Sequence, residues 1–253
     1  MIQLKNAQEL AKMHRACQIS AEALKLAGRS IEAGMTTADL DKIIYDYIKR
    51  HGARPNFKGL YGFPGTACIS INDEVIHGIP SHSRQIRPGD IVSIDTGAAI
   101  NGFNGDNACT FPCGKVDIEA QRLMDVTKES LHRGIAAAVA GNRVGDIGHA
   151  VQSYVEENGF SVVRSFVGHG VGKELHEDPE VPNYGHAGHG VRLVNGMTIA
   201  IEPMVNQKHH SVKTLSDGWT VVTADGGLAA HFEHSVAILP GGPEILTIGW
   251  EEP

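Results

Sequence analysis

Two aspartates, Asp95 and Asp106, lie in one apolar stretch of the chain, DIVSIDTGAAINGFNGDNACTF, residues 90–111. The Asn- and Gly-rich centre of this stretch predicts a β-hairpin. If the turn centres between Ile100 and Asn101, the two aspartates lie directly opposite each other, with Cβ atoms roughly 5 Å apart. Such carboxylates repel each other, and burial increases the cost. Two divalent cations roughly 3.5–4 Å apart would remove that cost.

The alternative for this hairpin is that both aspartates are exposed residues flanking a turn. The second half of the chain favours a metal site, because it supplies further ligand types. His169 lies between two glycines in SFVGHGVGKELHEDP, which lets backbone and ligand approach closely. Glu202 lies in the apolar run MTIAIEPMV, and Glu233 lies in AAHFEHSVAIL.

An ionised Glu inside an apolar strand is costly unless it is paired or binds a metal. Taken singly, either Glu could instead face solvent on an edge strand. Taken together, the carboxylates and the imidazole suit two divalent ions of the manganese, iron, cobalt or zinc type. The candidate ligands are Asp95, Asp106, His169, Glu202 and Glu233.

Composition excludes several other classes of protein. The net charge of −7 over 253 residues argues against nucleic acid or an anionic membrane as the main partner. No apolar stretch approaches the roughly 20 residues that span a bilayer, and the amphipathic start of the chain is unlike a signal peptide. Four cysteines are too few for a disulfide framework, and Cys109 and Cys113 are expected to be buried thiols. We therefore expect a cytoplasmic protein.

The order of predicted elements repeats along the chain: two helices, then strands. The helical patterns cover about 7–27, 37–51, 118–140 and 144–158, and the strand-like runs cover about 66–71, 91–99, 107–111, 199–206, 220–223 and 231–238. This repetition predicts one α+β domain, residues 1–253, with pseudo-symmetric halves of roughly 1–115 and 116–253. The two sheets are expected to share a central site.

Several of these motifs together resemble type I methionine aminopeptidases, the bacterial kind. The matching segments are CISINDEVIHGIP, the hairpin, GHGVGKELHEDP, TIAIEPMV, DGWTVVTADGGLAAHFEHS and EILT, so the resemblance runs from the first helix to about Ile248. It implies the pita-bread (creatinase/aminopeptidase) fold, a pseudo-twofold α+β fold. In that fold, helices pack outside antiparallel sheets around a central dinuclear metal site.

The resemblance also implies an activity: removal of the initiator methionine from nascent proteins whose second residue is small. It assigns two divalent ions (Co, Mn, Fe or Zn) to the five candidate ligands, with Asp106 and Glu233 bridging them. Glu202 would be the general base. His77 and His176 would be catalytic and would position the substrate; the alternative is that both are solvated loop histidines. The expected partner is the N-terminal Met of a nascent chain, a transient ribosome contact is left open, and a monomer is expected.

The resemblance places an apolar methionine pocket at Phe63, Cys68 and Trp219, with His77 at its rim. From sequence alone, a structural role as a buried thiol is favoured for Cys68. Phe63 stands where many relatives carry Tyr, and Leu175 stands where many carry Phe. Both differences keep the pocket apolar.

Two other functions compete with this interpretation. One is a different pita-bread hydrolase, such as an aminopeptidase P or creatinase relative, which needs an additional N-terminal domain that 253 residues cannot house. The other is a non-catalytic binding protein on the same fold. Such proteins lose metal ligands, whereas all five are present here, and a binder would show no metal-dependent peptidase activity.

Overall fold

The helices of the chain come in two pairs, one in each half. The computed structural model describes residues 2–250, so Met1 and residues 251–253 of the predicted domain lie outside the described residues. The helices are α1 (Ala7–Arg29), α2 (Thr37–Arg50), α3 (Ile118–Ala137) and α4 (Val144–Glu157). Asn6 and Thr36 begin the first pair as N-caps, each in a reciprocal capping box. All four predicted helices are confirmed, with ends that differ by up to three residues.

Short strands follow each pair of helices. The first half contains β1 (Arg54–Pro55), β2 (Ala67–Ile71), β3 (Glu74–Ile76), β4 (Ile91–Ile100) and β5 (Phe103–Pro112). The second half contains β6 (Ser161–Val162), β7 (Gly168–Gly170), β8 (Glu177–Val181), β9 (Thr198–Ile201), β10 (Met204–Asn206), β11 (Val212–Thr214), β12 (Val221–Thr223), β13 (Ala229–His231), β14 (Glu233–Leu239) and β15 (Gly242–Ile245).

One antiparallel sheet of nine strands runs through both halves, in the order β1-β4-β5-β14-β9-β7-β8, with β2 on β4 and β15 on β14. The two sheets expected from the repeated order of elements are therefore joined into one. The halves join where β5 pairs with β14, with Glu233 opposite Ala108. This pairing has a physical reason: β5 is buried over most of its length, and an unpaired buried edge would leave backbone groups without partners. Two three-stranded sheets, β13-β10-β6 and β11-β12-β3, complete the fold.

The turn of the β4–β5 hairpin lies one residue later than the sequence suggested. Ile100 pairs with Phe103, so Asn101 and Gly102 form the turn, with φ of 55° and 79°. Asn-Gly is favoured there because both central residues of this turn type need positive φ.

The shifted turn changes how the two aspartates relate. Asp95 pairs with Ala108 and Asp106 pairs with Gly97, so the prediction that they lie directly opposite each other is wrong. They are diagonal neighbours instead. Because side chains alternate along a strand, this two-residue offset keeps both on the same face of the hairpin.

Two predicted continuous strands are broken at the candidate glutamates. β9 ends at Ile201 and β10 begins at Met204, because Pro203 has no N–H to continue the ladder. A matching break at Phe232 separates β13 from β14, and the Phe232 N–H donates to the Pro203 carbonyl. Glu202 and Glu233 thus lie where the chain crosses from one sheet to another, and not inside uninterrupted strands.

Helix α1 packs directly against the β4–β5 hairpin. Gly105 permits this approach, because a Cβ there would lie 2.5 Å from backbone atoms of Cys17. The main apolar cluster includes Leu24, Ile44 and Ile94, each fully buried, from α1, α2 and β4. Among the described helices, none has the length and hydropathy needed to cross a bilayer.

Candidate metal centre and substrate cavity

A cavity of about 850 Å³ opens where the two halves of the nine-stranded sheet join. All five predicted metal ligands line it: Asp95, Asp106, His169, Glu202 and Glu233. The five predicted catalytic and pocket residues line the same cavity: Phe63, Cys68, His77, His176 and Trp219. The structure thus brings together side chains that come from five strands and five connecting segments across both halves.

The candidate ligands converge on a small volume. Asp106, His169 and Glu233 each offer one ligand atom, and these atoms lie within 4.8 Å of one another. His169 Nε2 lies 3.7 Å from Asp106 Oδ2 and 3.5 Å from Glu202 Oε1. Asp95 joins them from the same face of the hairpin as Asp106. The separations leave room for a cation between the donors, whose bonds to each would be about 2.0–2.2 Å.

Three carboxylate oxygens in this group are buried and have no hydrogen-bond partner: Asp95 Oδ1, Asp106 Oδ1 and Glu233 Oε1. Asp106 and Glu233 are only 3% and 2% exposed. Buried polar atoms are nearly always hydrogen-bonded or bound to an ion, so we expect these oxygens to bind a ligand such as a cation. The oxygen-rich donor set with one imidazole fits divalent ions.

His169 is held in the tautomer that a metal ligand needs. Its Nδ1 lies 2.8 Å from the Gly170 carbonyl and donates to it, so the lone pair is on Nε2, which faces the carboxylates. Burial lowers the pKa of His169 to about 4, which keeps the ring neutral at neutral pH. A neutral imidazole can bind a cation without first losing a proton.

The carboxyl groups carry the opposite pKa shift. Burial, with the charges of neighbouring carboxylates, raises the pKa of Asp95, Glu202 and Glu233 well above their ordinary values. Burial likewise raises the pKa of Asp106 to about 7. Without cations the site therefore holds protons, and divalent ions would stabilise its ionised form.

An apolar slot adjoins the carboxylates. Phe63, Cys68 and Leu175 belong to one buried apolar cluster, with Trp219 packed against it. The Phe63 and Trp219 rings meet edge to face, with centroids 5.1 Å apart. Cys68 pairs with Asp95 across β2 and β4, so it is both a strand residue and part of the wall. Burial raises the pKa of Cys68 well above its ordinary value, so the wall presents a neutral thiol.

The two predicted histidines approach the site from different sides. His77 follows β3 in a left-handed conformation, φ 59°, and its ring meets Phe166 edge-on at 5.7 Å. That conformation is uncommon outside glycine and persists where the surroundings enforce it. His176 is an exposed rim residue whose ring centroid lies 4.4 Å from that of His169. Both residues line the cavity; His77 is half-buried, whereas His176 is exposed.

Sequence reasoning missed several residues of the cavity and its surroundings. Phe57, Tyr61 and Phe166 line it, but Phe57 and Phe166 lie in connecting segments and Tyr61 lies in a single 3₁₀ turn, Leu60–Gly62, too short to show a periodic pattern. His231 is fully buried, and its Nε2 lies 3.9 Å from Glu202 Oε2. Its position two residues before Glu233 was an available signal, because alternate residues of an extended chain share a face.

Such a set of carboxylates and one imidazole, beside an apolar slot, defines a metal-dependent hydrolase site on this fold. The family description "Metallopeptidase family M24" matches residues 11–240 of the chain. The chain belongs to metallopeptidase family M24, and its architecture is the pita-bread fold.

The comparisons with individual proteins point to one group of that family. The chain is 55% identical to the methionine aminopeptidase of Clostridium perfringens, over 98% of this chain and 99% of the relative. It is 50% identical to methionine aminopeptidase 1 of Bacillus subtilis, over 98% and 99%. The crystal structure of methionine aminopeptidase from Thermotoga maritima matches with a TM-score of 0.96 and 44% identity, over 98% and 99%.

A more distant structure shares the fold alone. Prolidase from Pyrococcus furiosus matches with a TM-score of 0.80 and 24% identity, and the match covers 97% of this chain but 65% of that one. The resemblance to methionine aminopeptidases stated from the sequence is confirmed by the closer relatives. The alternative of a non-catalytic binding protein finds no support among them.

Proposed function

We propose that this chain is a methionyl aminopeptidase that removes the N-terminal (initiator) methionine of nascent proteins when the second residue is small. One observation carries the proposal: the five candidate ligands and the apolar slot line the same cavity, in a chain 55% identical to a protein of that name. The non-catalytic alternative would require neither the buried unpartnered oxygens nor the slot beside them.

Five residues would hold two divalent ions, of the cobalt, manganese, iron or zinc type: Asp95, Asp106, His169, Glu202 and Glu233. Asp106 and Glu233 are the most buried carboxylates of the set, and each has an oxygen without a hydrogen-bond partner, which a bound cation would satisfy. When bound, the two ions supply Lewis acidity and lower the pKa of water at the site.

Glu202 is the proposed general base. Its carboxylate lies between two histidines, with Oε1 3.5 Å from His169 Nε2 and Oε2 3.9 Å from His231 Nε2. It can take a proton from the attacking water and deliver that proton to the leaving amine. Its position where β9 breaks before Pro203 sets the carboxylate at the cavity wall.

His176 and His77 are the proposed donors to the substrate. A neutral imidazole offers one N–H, and burial lowers the pKa of His77 to about 4, so this ring is neutral at neutral pH. His176, beside His169 at the rim, would donate to the carbonyl oxygen as negative charge develops there. His77, fixed against Phe166, would hydrogen-bond the peptide near the scissile amide.

The apolar slot suits a methionine side chain. Phe63 and Trp219 offer ring edges and Cys68 offers a thiol, and thioethers make favourable contacts with both aromatic rings and soft groups. The slot is formed by side chains from β2, from the segment before it, from the loop before β8 and from the segment before β12.

The remaining features of the proposal concern the chain as a whole. Residues 1–253 would act as a single catalytic domain with halves of roughly 1–115 and 116–253, as a monomer, in the cytoplasm. Its partner would be the N-terminus of a nascent polypeptide, with a transient ribosome contact left open. The net charge of −7 is unfavourable for nucleic acid as the main ligand.

Matched tripeptides test the reaction. Metal-free protein reloaded with one kind of ion should release free Met from Met-Ala-Ser and leave Met-Leu-Ser intact. The acetylated peptide Ac-Met-Ala-Ser should also remain intact, because the activity needs a free amine. No release with any ion, despite stoichiometric metal binding, would overturn the proposal in favour of a binding protein.

A further inference from the structure

The segment that carries His176 is fastened to the protein at both ends. It connects β7 to β8 and covers residues 171–176. At its start, the Asn104 side chain donates to the Gly172 and Lys173 carbonyls, at 3.0 Å each. Asn104 belongs to β5, the strand that carries Asp106, so this end is tied to the metal-ligand hairpin.

The other end is held by a buried ion pair with the N-terminal segment. Lys5 Nζ lies 2.5 Å from Glu177 Oε2, and the two side chains are only 4% and 7% exposed. The second oxygen, Glu177 Oε1, accepts from the Glu174 N–H at 3.2 Å. One carboxylate therefore ties the residue directly after His176 to Lys5 and folds the backbone back on itself.

Lys5 is itself fixed. Its N–H donates to the Gly196 carbonyl at 2.7 Å, and its Nζ also donates to the Gln3 carbonyl at 3.1 Å. The backbone of Gly172 packs tightly against the ion pair. A Cβ at Gly172 would lie only 2.6 Å from both Lys5 Nζ and Glu177 Oε1. A small movement of Lys5 is therefore passed on to the segment.

Removing both charges from water costs desolvation energy, and the attraction between Lys5 and Glu177 offsets that cost only if the geometry is good. A buried ion pair of this kind therefore need not stabilise the fold. Its position suggests another role. His176 is exposed and lies on a connecting segment, where side chains are mobile unless the backbone is held. The ion pair provides that restraint at the adjacent residue.

We infer that Lys5 is a positioning residue: through Glu177 it fixes the backbone that aims His176 at the substrate. This inference rests on the proposed function, in which His176 contacts the substrate and Lys5 does not. Its consequence is that the N-terminal segment before α1 contributes to turnover although Lys5 makes no contact with the candidate metal ligands.

The experiment compares Lys5→Met with Lys5→Arg, and uses Lys42→Met as the matched control. Lys42 forms a similarly short ion pair with Asp46, at 2.6 Å, but on the exposed face of α2, and neither residue lines the cavity. In the metal-loaded protein, Lys5→Met should lower kcat on Met-Ala-Ser by about 10–100-fold, the effect of misplacing a catalytic group by about 1 Å. Lys5→Arg should recover part of this loss, and Lys42→Met should match the wild type.

Three further readouts separate positioning from general destabilisation. Metal affinity, measured by calorimetry, should be unchanged, and KM should change far less than kcat. In NMR spectra of metal-free protein at a temperature where all variants are folded, the His176 ring signals should shift or broaden in Lys5→Met while those of His231 stay in place. Glu177→Gln, which keeps an acceptor for the Glu174 N–H, serves if Lys5→Met does not fold, and should show a smaller loss of kcat.

Two results would overturn the inference: a folded Lys5→Met protein with wild-type kcat, or a kcat loss that follows metal affinity or the folded fraction. Failure of the proposed function looks different, because the wild type itself would then release no Met with any ion. In that case the NMR comparison still decides whether Lys5 positions His176.

Discussion

Replacing Asp106 with Asn should stabilise the metal-free protein at pH 8, although it removes a proposed metal ligand. Asp106 is 3% exposed, and its Oδ1 has no hydrogen-bond partner. Burial raises the pKa of this carboxyl to about 7 from its ordinary 3.8. The folded protein therefore binds a proton that the unfolded chain has already released. The carboxyl's contribution to stability is complete below pH 3.8 and is lost as the pH rises through about 7.

The size of the effect follows from the two pKa values. At 1.36 kcal/mol per pH unit, the difference between about 7 and 3.8 gives an upper bound of about 4 kcal/mol above pH 7. Neighbouring carboxyls share the site and can take up protons in place of Asp106, so the gain in Asp106→Asn is expected between about 1 and 4 kcal/mol. At pH 5 the gain in stability of Asp106→Asn should be smaller, because most of the interval between the unfolded pKa of 3.8 and the folded pKa of about 7 lies above pH 5.

Urea unfolding of metal-free wild type and Asp106→Asn, at pH 5 and pH 8, measures this difference. The other carboxyls titrate in both proteins, so the comparison measures the Asp106 carboxyl together with its effect on the pKa values of Asp95, Glu202 and Glu233. Addition of Mn²⁺ should reverse the order at pH 8, because binding to the folded wild type stabilises it and the variant has lost a ligand. A variant no more stable than wild type at pH 8, or a gap that does not grow with pH, would refute the reasoning.

Other substitutions test the remaining parts of the account. Glu202→Gln should lower kcat for Met-Ala-Ser by about 10²–10⁴-fold, the usual range for a general acid–base group, and a near-normal kcat would remove Glu202 from that role. His176→Ala should lower kcat by about 10²–10³-fold with a much smaller change in KM, since a donor to a developing oxyanion acts in the transition state; a change confined to KM would contradict this. Gly105→Ala should cost about 1–3 kcal/mol in urea unfolding, because its Cβ would lie 2.5 Å from the Cys17 backbone, and unchanged stability would show that α1 can shift.

The ligand types of the site could be predicted from the sequence because charged residues in apolar runs are costly. That cost singled out Asp95, Asp106, Glu202 and Glu233, all of which line the cavity. The one-residue error in the hairpin turn did not move either aspartate to the wrong face, since the resulting offset is two residues. The helices were also predictable, because each has an amphipathic pattern and the first three begin at side-chain N-caps.

The arrangement of the strands could not be predicted in the same way. The breaks at Pro203 and Phe232 depend on each other, through a hydrogen bond between residues distant in sequence. The joining of the two halves at β5 and β14 is likewise a long-range pairing. The local pattern of apolar and polar residues contains no information on the paired strand breaks or on the β5–β14 pairing. The Lys5–Glu177 ion pair escapes it for the same reason, as its partners are 172 residues apart.

Processing of an intact protein tests the proposed function most directly. Two versions of one small protein, beginning Met-Ala and Met-Leu, would be incubated with metal-free chain and with chain reloaded with a single kind of ion, then analysed by mass spectrometry. The account predicts that the Met-Ala protein loses one methionine residue and no more, only when the ion is present, while the Met-Leu protein is unchanged. Loss of methionine without metal, equal processing of both proteins, or no processing by chain that has bound its ions would contradict it.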